Sequence, residues 1–278
     1  VVLIWATALY LVYSFDDLAY RAGDPNGADV ILGIVASVLV LEITRRTTGW
    51  TMTILGVASL VYAYVGPWLP GMLAHRGFDL EQLFSFMYTT TDGLYGITLG
   101  VSSTYIFFFI LFGAFLTNTG IMTFFIDISN AIAGWASGGP AKVAVLTSAL
   151  EGTVSGSSVA NTVGSGSFTI PLMKSLGYKP EFAGAVEAAA STGGQIMPPV
   201  MGAAAFLMAE FIGIPYVEIA KAAVIPALLY FTGVWVVVHF EAKKNGLKGL
   251  SREQLPNLWK VLKKDSHLIL PLIAIIYL

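Results

Sequence analysis

Two uncharged segments hold the residues of this chain that could do chemistry. The first runs Gly152-Thr-Val-Ser-Gly-Ser-Ser-Val-Ala-Asn-Thr-Val-Gly-Ser-Gly-Ser-Phe-Thr-Ile-Pro171. The second runs Ala188-Ala-Ala-Ser-Thr-Gly-Gly-Gln-Ile-Met-Pro-Pro-Val-Met-Gly202. Ser155, Ser157, Ser158, Asn161 and Thr192 offer neutral hydroxyl and amide oxygens. Gly156, Gly193 and Gly194 sit where a helix should break and free its carbonyls. Hard neutral oxygens of this kind suit a small dehydrated cation such as Na⁺, with no transition metal. Broken half-helices hold ions in this way, while their N-termini face anionic groups. Ser158, Asn161, Thr162, Gln195, Pro198 and Pro199 line the same two breaks and are the candidate contacts for an anionic substrate. Glu187, five residues before Thr192, is an acid in an apolar setting and a candidate proton relay. The bland readings are a flexible loop for the first segment, a Pro-kinked helix packed through Gly and Ala for the second, and a water-reached helix end for Glu187.

The elements that position these residues belong to a membrane protein. The chain is 56% hydrophobic and 12% charged, with a mean hydropathy of +0.75, against about 25% charged in soluble domains. It has no cysteine and three scattered histidines, which excludes disulfides, thiolate chemistry and a His-rich metal cluster. No basic patch argues for nucleic acid, and no Walker A, GxSxG or HExxH motif is present. Apolar runs predict a helix end over Val1–Tyr13 and spans over Val30–Leu41, Trp50–Leu69, Ile97–Leu116 and Tyr216–Phe240. The spacing of Leu80, Leu83, Phe84 and Met87 predicts a short interfacial arm helix. Met122–Trp135 predicts a second surface-lying helix, with Phe124, Phe125, Ile128, Ile132 and Trp135 on its apolar face.

Ala141–Met173 reads as a helical hairpin. Each arm of about 14 residues rises ~21 Å, short of a ~30 Å hydrocarbon core. Phe182–Thr192 and Val200–Ile212 read as the halves of one discontinuous helix, because Gly193-Gly194 and Pro198-Pro199 interrupt it. Arg45-Arg46, Lys142, Lys174, Lys179 and the run Lys243 to Lys264 fall on one side, which the positive-inside rule makes cytoplasmic. The organisation is therefore 1–29 for a preceding helix end and outside loop, then 30–137 for scaffold helices. A transport element follows over 138–213, and 214–278 holds a further span, a basic loop and the start of another helix. Both ends of the chain fall inside apolar runs, as expected of a piece of a longer protein. Glu210, His75 and Arg76 read as surface residues, Glu218 with Lys221 as a helix pair, and Phe107–Phe109 as lipid-facing.

These residues resemble the large permease of tripartite ATP-independent periplasmic (TRAP) transporters, and within it the fused TAXI type. The resemblance runs from the loop before Val30 to Leu278. It is densest in Gly139-Pro-Ala-Lys-Val-Ala-Val145, Thr153-Val-Ser-Gly-Ser-Ser-Val-Ala-Asn161, Gly166-Ser-Phe-Thr-Ile-Pro-Leu-Met173 and Phe182-Ala-Gly-Ala-Val-Glu-Ala-Ala-Ala-Ser-Thr-Gly-Gly-Gln-Ile-Met-Pro-Pro199. It implies an all-α polytopic fold, the first inverted repeat of an elevator-type transporter with a re-entrant hairpin and a discontinuous transmembrane helix. It also implies Na⁺-driven uptake, or H⁺-driven uptake in some TAXI members, and no other cofactor. Substrates would be dicarboxylates, 2-oxoacids and related organic anions. Partners would be a periplasmic TAXI-type binding protein and a small-subunit region fused upstream, in a bacterial or archaeal cytoplasmic membrane. The hairpin tip would be Ser155 to Ser158 with Asn161, and the second break Thr192 to Gly194 with Pro198-Pro199.

Two other classes compete. A channel would use carbonyl or charge rings as a filter and pass current without saturable substrate dependence. A membrane-embedded enzyme would need a nucleophile, base or metal constellation, and the serines here have no histidine partner.

Overall fold

The computed structural model describes residues 2–21 and 23–277; Val1 and Leu278, the outer ends of the two terminal runs, lie outside them. Every regular element among the described residues is helical. Among the described residues, four helices are long and apolar enough to cross a membrane: Gly27–Thr48, Trp50–Trp68, Ile97–Asn118 and Tyr216–Lys244. The chain divides into two compact units, residues 1–100 and 101–278.

The first unit contains α1 (Val2–Tyr13), α2 (Phe15–Tyr20), α3 (Gly27–Thr48), α4 (Trp50–Val65) and α5 (Leu80–Thr89). Asn26 and Asp29 start α3 with a reciprocal capping box, each side chain accepting from the other's backbone N–H at 2.9 and 2.8 Å. Such a box satisfies two of the donors a helix start leaves bare. Asp29 is fully buried, and it pairs with Arg21 and accepts from the Tyr10 hydroxyl at 2.9 Å. This network turns the acidic loop expected over Ser14–Asp29 into a folded corner that includes α2. The arm helix α5 packs on α3, where Gly33 lies so close that a Cβ would sit 2.4 Å from the Phe84 carbonyl oxygen. The buried Tyr88 of α5 donates to the Thr7 carbonyl at 2.6 Å. His75 folds the loop after α4 onto itself: Nδ1 accepts from Gly77 N–H at 3.0 Å and the ring covers Gly66.

A long helix leads into the second unit. It opens as α6 (Ile97–Val101), passes through a π turn at Ser102–Ile106 and continues as α7 (Phe107–Asn118). Then come α8 (Ile121–Ala133), α9 (Gly139–Ser155), α10 (Ser158–Gly164), α11 (Gly166–Ser175), α12 (Pro180–Gly193), α13 (Ala203–Ile212), α14 (Tyr216–Lys244), α15 (Leu258–Lys264) and α16 (Ile269–Tyr277). Its centre is α9, packed against α7, α8, α10, α11, α12 and α14. Small residues permit that: Ala141, Ala144 and Ala149 of α9 face Ala183, Val186 and Ala190 of α12 in one buried cluster. In a membrane, small side chains let helix backbones approach closely and gain dispersion energy.

Several expectations need amendment. The second hairpin arm is not one helix, since it steps at Ser165 between α10 and α11. The helix expected over Val200–Ile212 begins at Ala203, because the segment after Pro198-Pro199 stays non-helical through Gly202. Ile132 of α8 and Trp135 just beyond it are exposed, while Ser129 and Asn130 are buried. The helix leans on α9 through Phe124 and Phe125, which pack with Leu150 and Val154, so one shifted stripe rather than the predicted face is covered. Lys142, counted above among the charges of one side, is buried; its Nζ lies 3.0 Å from His239 Nδ1 and 5.3 Å from the centre of the Trp235 ring.

Candidate functional site

The hairpin turn is built by Gly156. Helix α9 ends there, at a φ of +58° that only glycine adopts without strain. No larger residue fits, because a Cβ at Gly156 would lie 1.8 Å from the Met201 carbonyl oxygen. The Ser157 hydroxyl then caps α10 by accepting from Ala160 N–H at 3.3 Å. A chain that turns within two residues carries α10 and α11 back along α9.

The second break meets this turn from the other side. Helix α12 ends at Gly193, followed by a 3₁₀ turn over Gly194–Ile196. A Cβ on Gly152 would sit 2.5 Å from the Gly194 Cα, and one on Gly194 would sit 2.5 Å from Asn161 Nδ2. The hairpin thus lies directly on the segment that links α12 to α13. Around this seam Ser155 Oγ donates to Asn161 Oδ1, and Gln195 Nε2 donates to Ser158 Oγ at 2.8 Å. Asn161 is fully buried and its Nδ2 has no hydrogen-bond partner. Unpaired buried polar atoms are rare, and one beside a broken helix marks a place where a ligand's oxygen could complete the set. The C-terminal ends of α9 and α12 converge here, and their bare carbonyls and partial negative charge favour a cation. No charged side chain belongs to the seam residues themselves.

Of the residues singled out in the sequence, Ser155, Gly156, Ser158, Asn161, Gly194 and Gln195 come together at this seam. Ser157 serves the α10 cap. Thr192 is exposed and its hydroxyl donates to the Ala188 carbonyl at 2.7 Å; Thr162 does the same to Ser158 at 2.8 Å. The Cβ position of Gly193 faces the rings of Tyr230 and Phe231 of α14, not the hairpin. Pro198 and Pro199 are partly exposed, and Tyr216 donates to the Pro199 carbonyl at 2.8 Å.

Glu187 does not lie at a watered helix end. It is fully buried and receives four hydroxyls: Ser148 at 3.2 Å, Ser165 at 2.7 Å and Ser191 at 3.1 Å on Oε1, and Thr169 on Oε2. Residues not singled out from the sequence complete this shell. Ser165 and Thr169 share a face at i, i+4, as do Glu187 and Ser191, while Ser148 and Glu151 are i, i+3. Glu151 is buried too. Its only sequence signal was an acid on an apolar helix, the same signal that Glu187 gave.

The sequence profile of the family described as "Tripartite ATP-independent periplasmic transporter, DctM component" matches residues 35–278. The chain is similar to the C4-dicarboxylate TRAP transporter large permease protein DctM of Pseudomonas aeruginosa, at 34% identity over 53% of this chain and 34% of that one. It is similar to the DctM of Vibrio cholerae, at 26% identity over 87% of this chain and 50% of that one. A third relative is the sialic acid TRAP transporter large permease protein SiaM of Vibrio cholerae, at 28% identity over 60% of this chain and 39% of that one. The chain thus spans between a third and a half of the length of these relatives.

Proposed function

Since the chain belongs to the DctM-component family of TRAP transporters, a family of multi-pass membrane permeases and not of enzymes, we propose that it contributes one half of the binding site for cation-coupled uptake of small organic anions. The substrates are dicarboxylates, 2-oxoacids or related carboxylates, delivered by a periplasmic binding protein of the TAXI type. The observation that carries this reading is the seam of Gly152 on Gly194. Two helix breaks meet there, backbone on backbone, with neutral oxygens from Ser155 and Asn161 and no charged side chain.

In this reading the hairpin α9–α11 is re-entrant and moves with the discontinuous helix α12–α13 as one elevator body. The length of the arms supports it: α9 rises ~26 Å, less than a bilayer core. Na⁺ occupies the seam among Ser155, Asn161 and the carbonyl ends of α9 and α12. The carboxylate of the substrate faces the half-buried Ser158 and the exposed Gln195 beside it. Small-subunit helices precede this segment in the same chain, and the membrane is the cytoplasmic membrane of a bacterium or archaeon.

The test is uptake of a labelled C4-dicarboxylate by the full-length permease in liposomes, with its binding protein outside. Asn161→Ala and Ser155→Ala should each raise the Na⁺ concentration for half-maximal uptake at least tenfold. Unchanged Na⁺ activation in both variants removes the seam from the cation site. Ohmic current without saturable uptake would make the protein a channel.

A further inference from the structure

We propose that Glu151 and Glu187, both packed on the step between α10 and α11 at Gly164 to Gly166, form a proton-carrying site set apart from the neutral seam. This rests on the transporter reading and names a second coupling ion for it. The argument begins with hydrogens. A serine or threonine hydroxyl has one to donate. Ser165 Oγ lies 2.8 Å from the Asn161 carbonyl and 2.7 Å from Glu187 Oε1. Thr169 Oγ1 lies 3.0 Å from the Ser165 carbonyl and also contacts Glu187 Oε2. Each hydroxyl therefore stands between a helix carbonyl and the acid, and can serve only one at a time.

Both protonation states of Glu187 are satisfied by this shell. When Glu187 is ionised, Ser165 and Thr169 turn their hydrogens to it, and the two carbonyls keep their backbone bonds from Ser165 N–H and Thr169 N–H at 3.0 and 2.9 Å. When a proton from water is added to Oε2, that O–H donates to Thr169 Oγ1, and the Thr169 hydrogen swings to the Ser165 carbonyl. Release to water reverses the rotation. No atom need move except hydroxyl hydrogens, so the site takes and gives a proton without repacking.

Glu151 supplies the independent sign that a ligand belongs here. It is only 5% exposed, yet its Oε2 has no hydrogen-bond partner. The carboxyl lies against Gly164, the residue before Ser165, where a Cβ would be 2.6 Å from Oε1. A buried acceptor left bare is costly, and two carboxylates buried against consecutive residues, Glu151 at Gly164 and Glu187 at Ser165, repel across a low-dielectric gap. One proton held by the pair removes that repulsion.

No other charge performs this task. Among the described residues neither carboxylate makes an ion pair. Helix α7 carries no titratable side chain. Helix α8 sends Met122 against Gly164, and its Asp127 faces Lys264 and Asp265. From α14, the Tyr230 hydroxyl donates to the Ala189 carbonyl at 2.8 Å and His239 engages Lys142, nine positions before Glu151 on α9. Lys174 and Glu181 are exposed, at the end of α11 and the start of α12.

The probe is the proton itself. Full-length permease in bilayers is titrated by infrared difference spectroscopy in H₂O and D₂O. A carboxylic-acid C=O band that shifts on deuteration should appear on acidification, vanish in Glu187→Gln and move in Ser165→Ala. Its persistence unchanged in Glu151→Gln and Glu187→Gln overturns the proposal, whatever transport does. The second measurement is movement of a labelled C4-dicarboxylate at equal Na⁺ on both sides. An inside-alkaline gradient should accelerate net uptake by wild type. Glutamine mimics the protonated acid, so both Gln variants should lose gradient-driven uptake at least tenfold while retaining substrate exchange. Loss of exchange as well would make the pair a structural brace and overturn the proposal. A wild type that neither exchanges nor accumulates the dicarboxylate, while the band still titrates as described, would sink the transport reading and leave the proton site standing.

Discussion

Asp29 and Glu187 are both carboxylates with no exposed surface, and their surroundings differ completely. Asp29, in the first unit, has Arg21 beside it, accepts from Tyr10, and is locked into the cap of α3 by Asn26. Its charge is neutralised within the fold and its oxygens are committed to a helix start. Glu187, in the second unit, receives only hydroxyls, and two of them have a helix carbonyl as an alternative acceptor. A guanidinium fixes one charge state, because it cannot give up its proton. Hydroxyls serve either state, because they both donate and accept. The contrast separates an acid that builds structure from one that is free to change.

The largest effect should come from breaking the structural acid. Asp29→Ala removes the bonds from Tyr10 and Asn26, worth on the order of 2 kcal/mol together, and strands Arg21. We expect a clear drop in the thermal unfolding midpoint of the detergent-solubilised full-length protein. In molecules that stay folded, Na⁺ activation and the response to a pH gradient should be unchanged. A change in either would erase the distinction between the two acids.

Close glycine contacts repeat the contrast. Gly33 in the first unit and Gly152 in the second each leave about the same room, with a Cβ at 2.4 Å from the Phe84 oxygen and 2.5 Å from the Gly194 Cα. Gly33→Ala forces α3 from α5, and overpacking of this kind costs about 1–3 kcal/mol. It should lower stability and spare uptake per folded molecule. Gly152→Ala wedges the two helix breaks apart and should lower uptake at least tenfold at a similar cost in stability. Equal uptake in the two variants would mean the seam is packing and nothing more.

The sequence made much of this arrangement visible, and the reason is local. Long apolar runs mark the spans whatever they pack on. The break at Gly156 is announced by Ser155-Gly-Ser-Ser158, and the break after Gly193 by paired glycines and prolines. Register between the breaks was not visible. That Gly152 meets Gly194, or that Asn161 rather than Thr162 enters the seam, depends on how α9 and α12 rotate against each other. Their alanine faces set that rotation, and alanine repeats look alike from every side. Lys142 is a related case: its charge is legible in the sequence, but that its stem lies against Trp235 and His239 is not. Glu151 escaped notice because its meaning lies in Gly164, at the end of α10, and in Glu187 on α12.

The smallest effects test the hydroxyl shell itself, and they follow from how the donors divide between the two oxygens of Glu187. Three hydroxyls reach Oε1, from Ser148, Ser165 and Ser191, while Thr169 alone reaches Oε2. An oxygen with three donors can lose one and remain paired, so Ser191→Ala should cost no more than about 0.5–1 kcal/mol. Thr169→Val keeps the shape of the side chain but leaves Oε2 bare and buried, which costs about 1–3 kcal/mol. It also removes the acceptor that takes the Glu187 proton, so the pH profile of uptake should move with Thr169→Val and stay in place with Ser191→Ala. Paired unfolding curves and pH–uptake profiles of the two variants measure both differences at once. If Ser191→Ala proved the more damaging by either measure, the donors would not be divided as described, and Glu187 would be held as rigidly as Asp29.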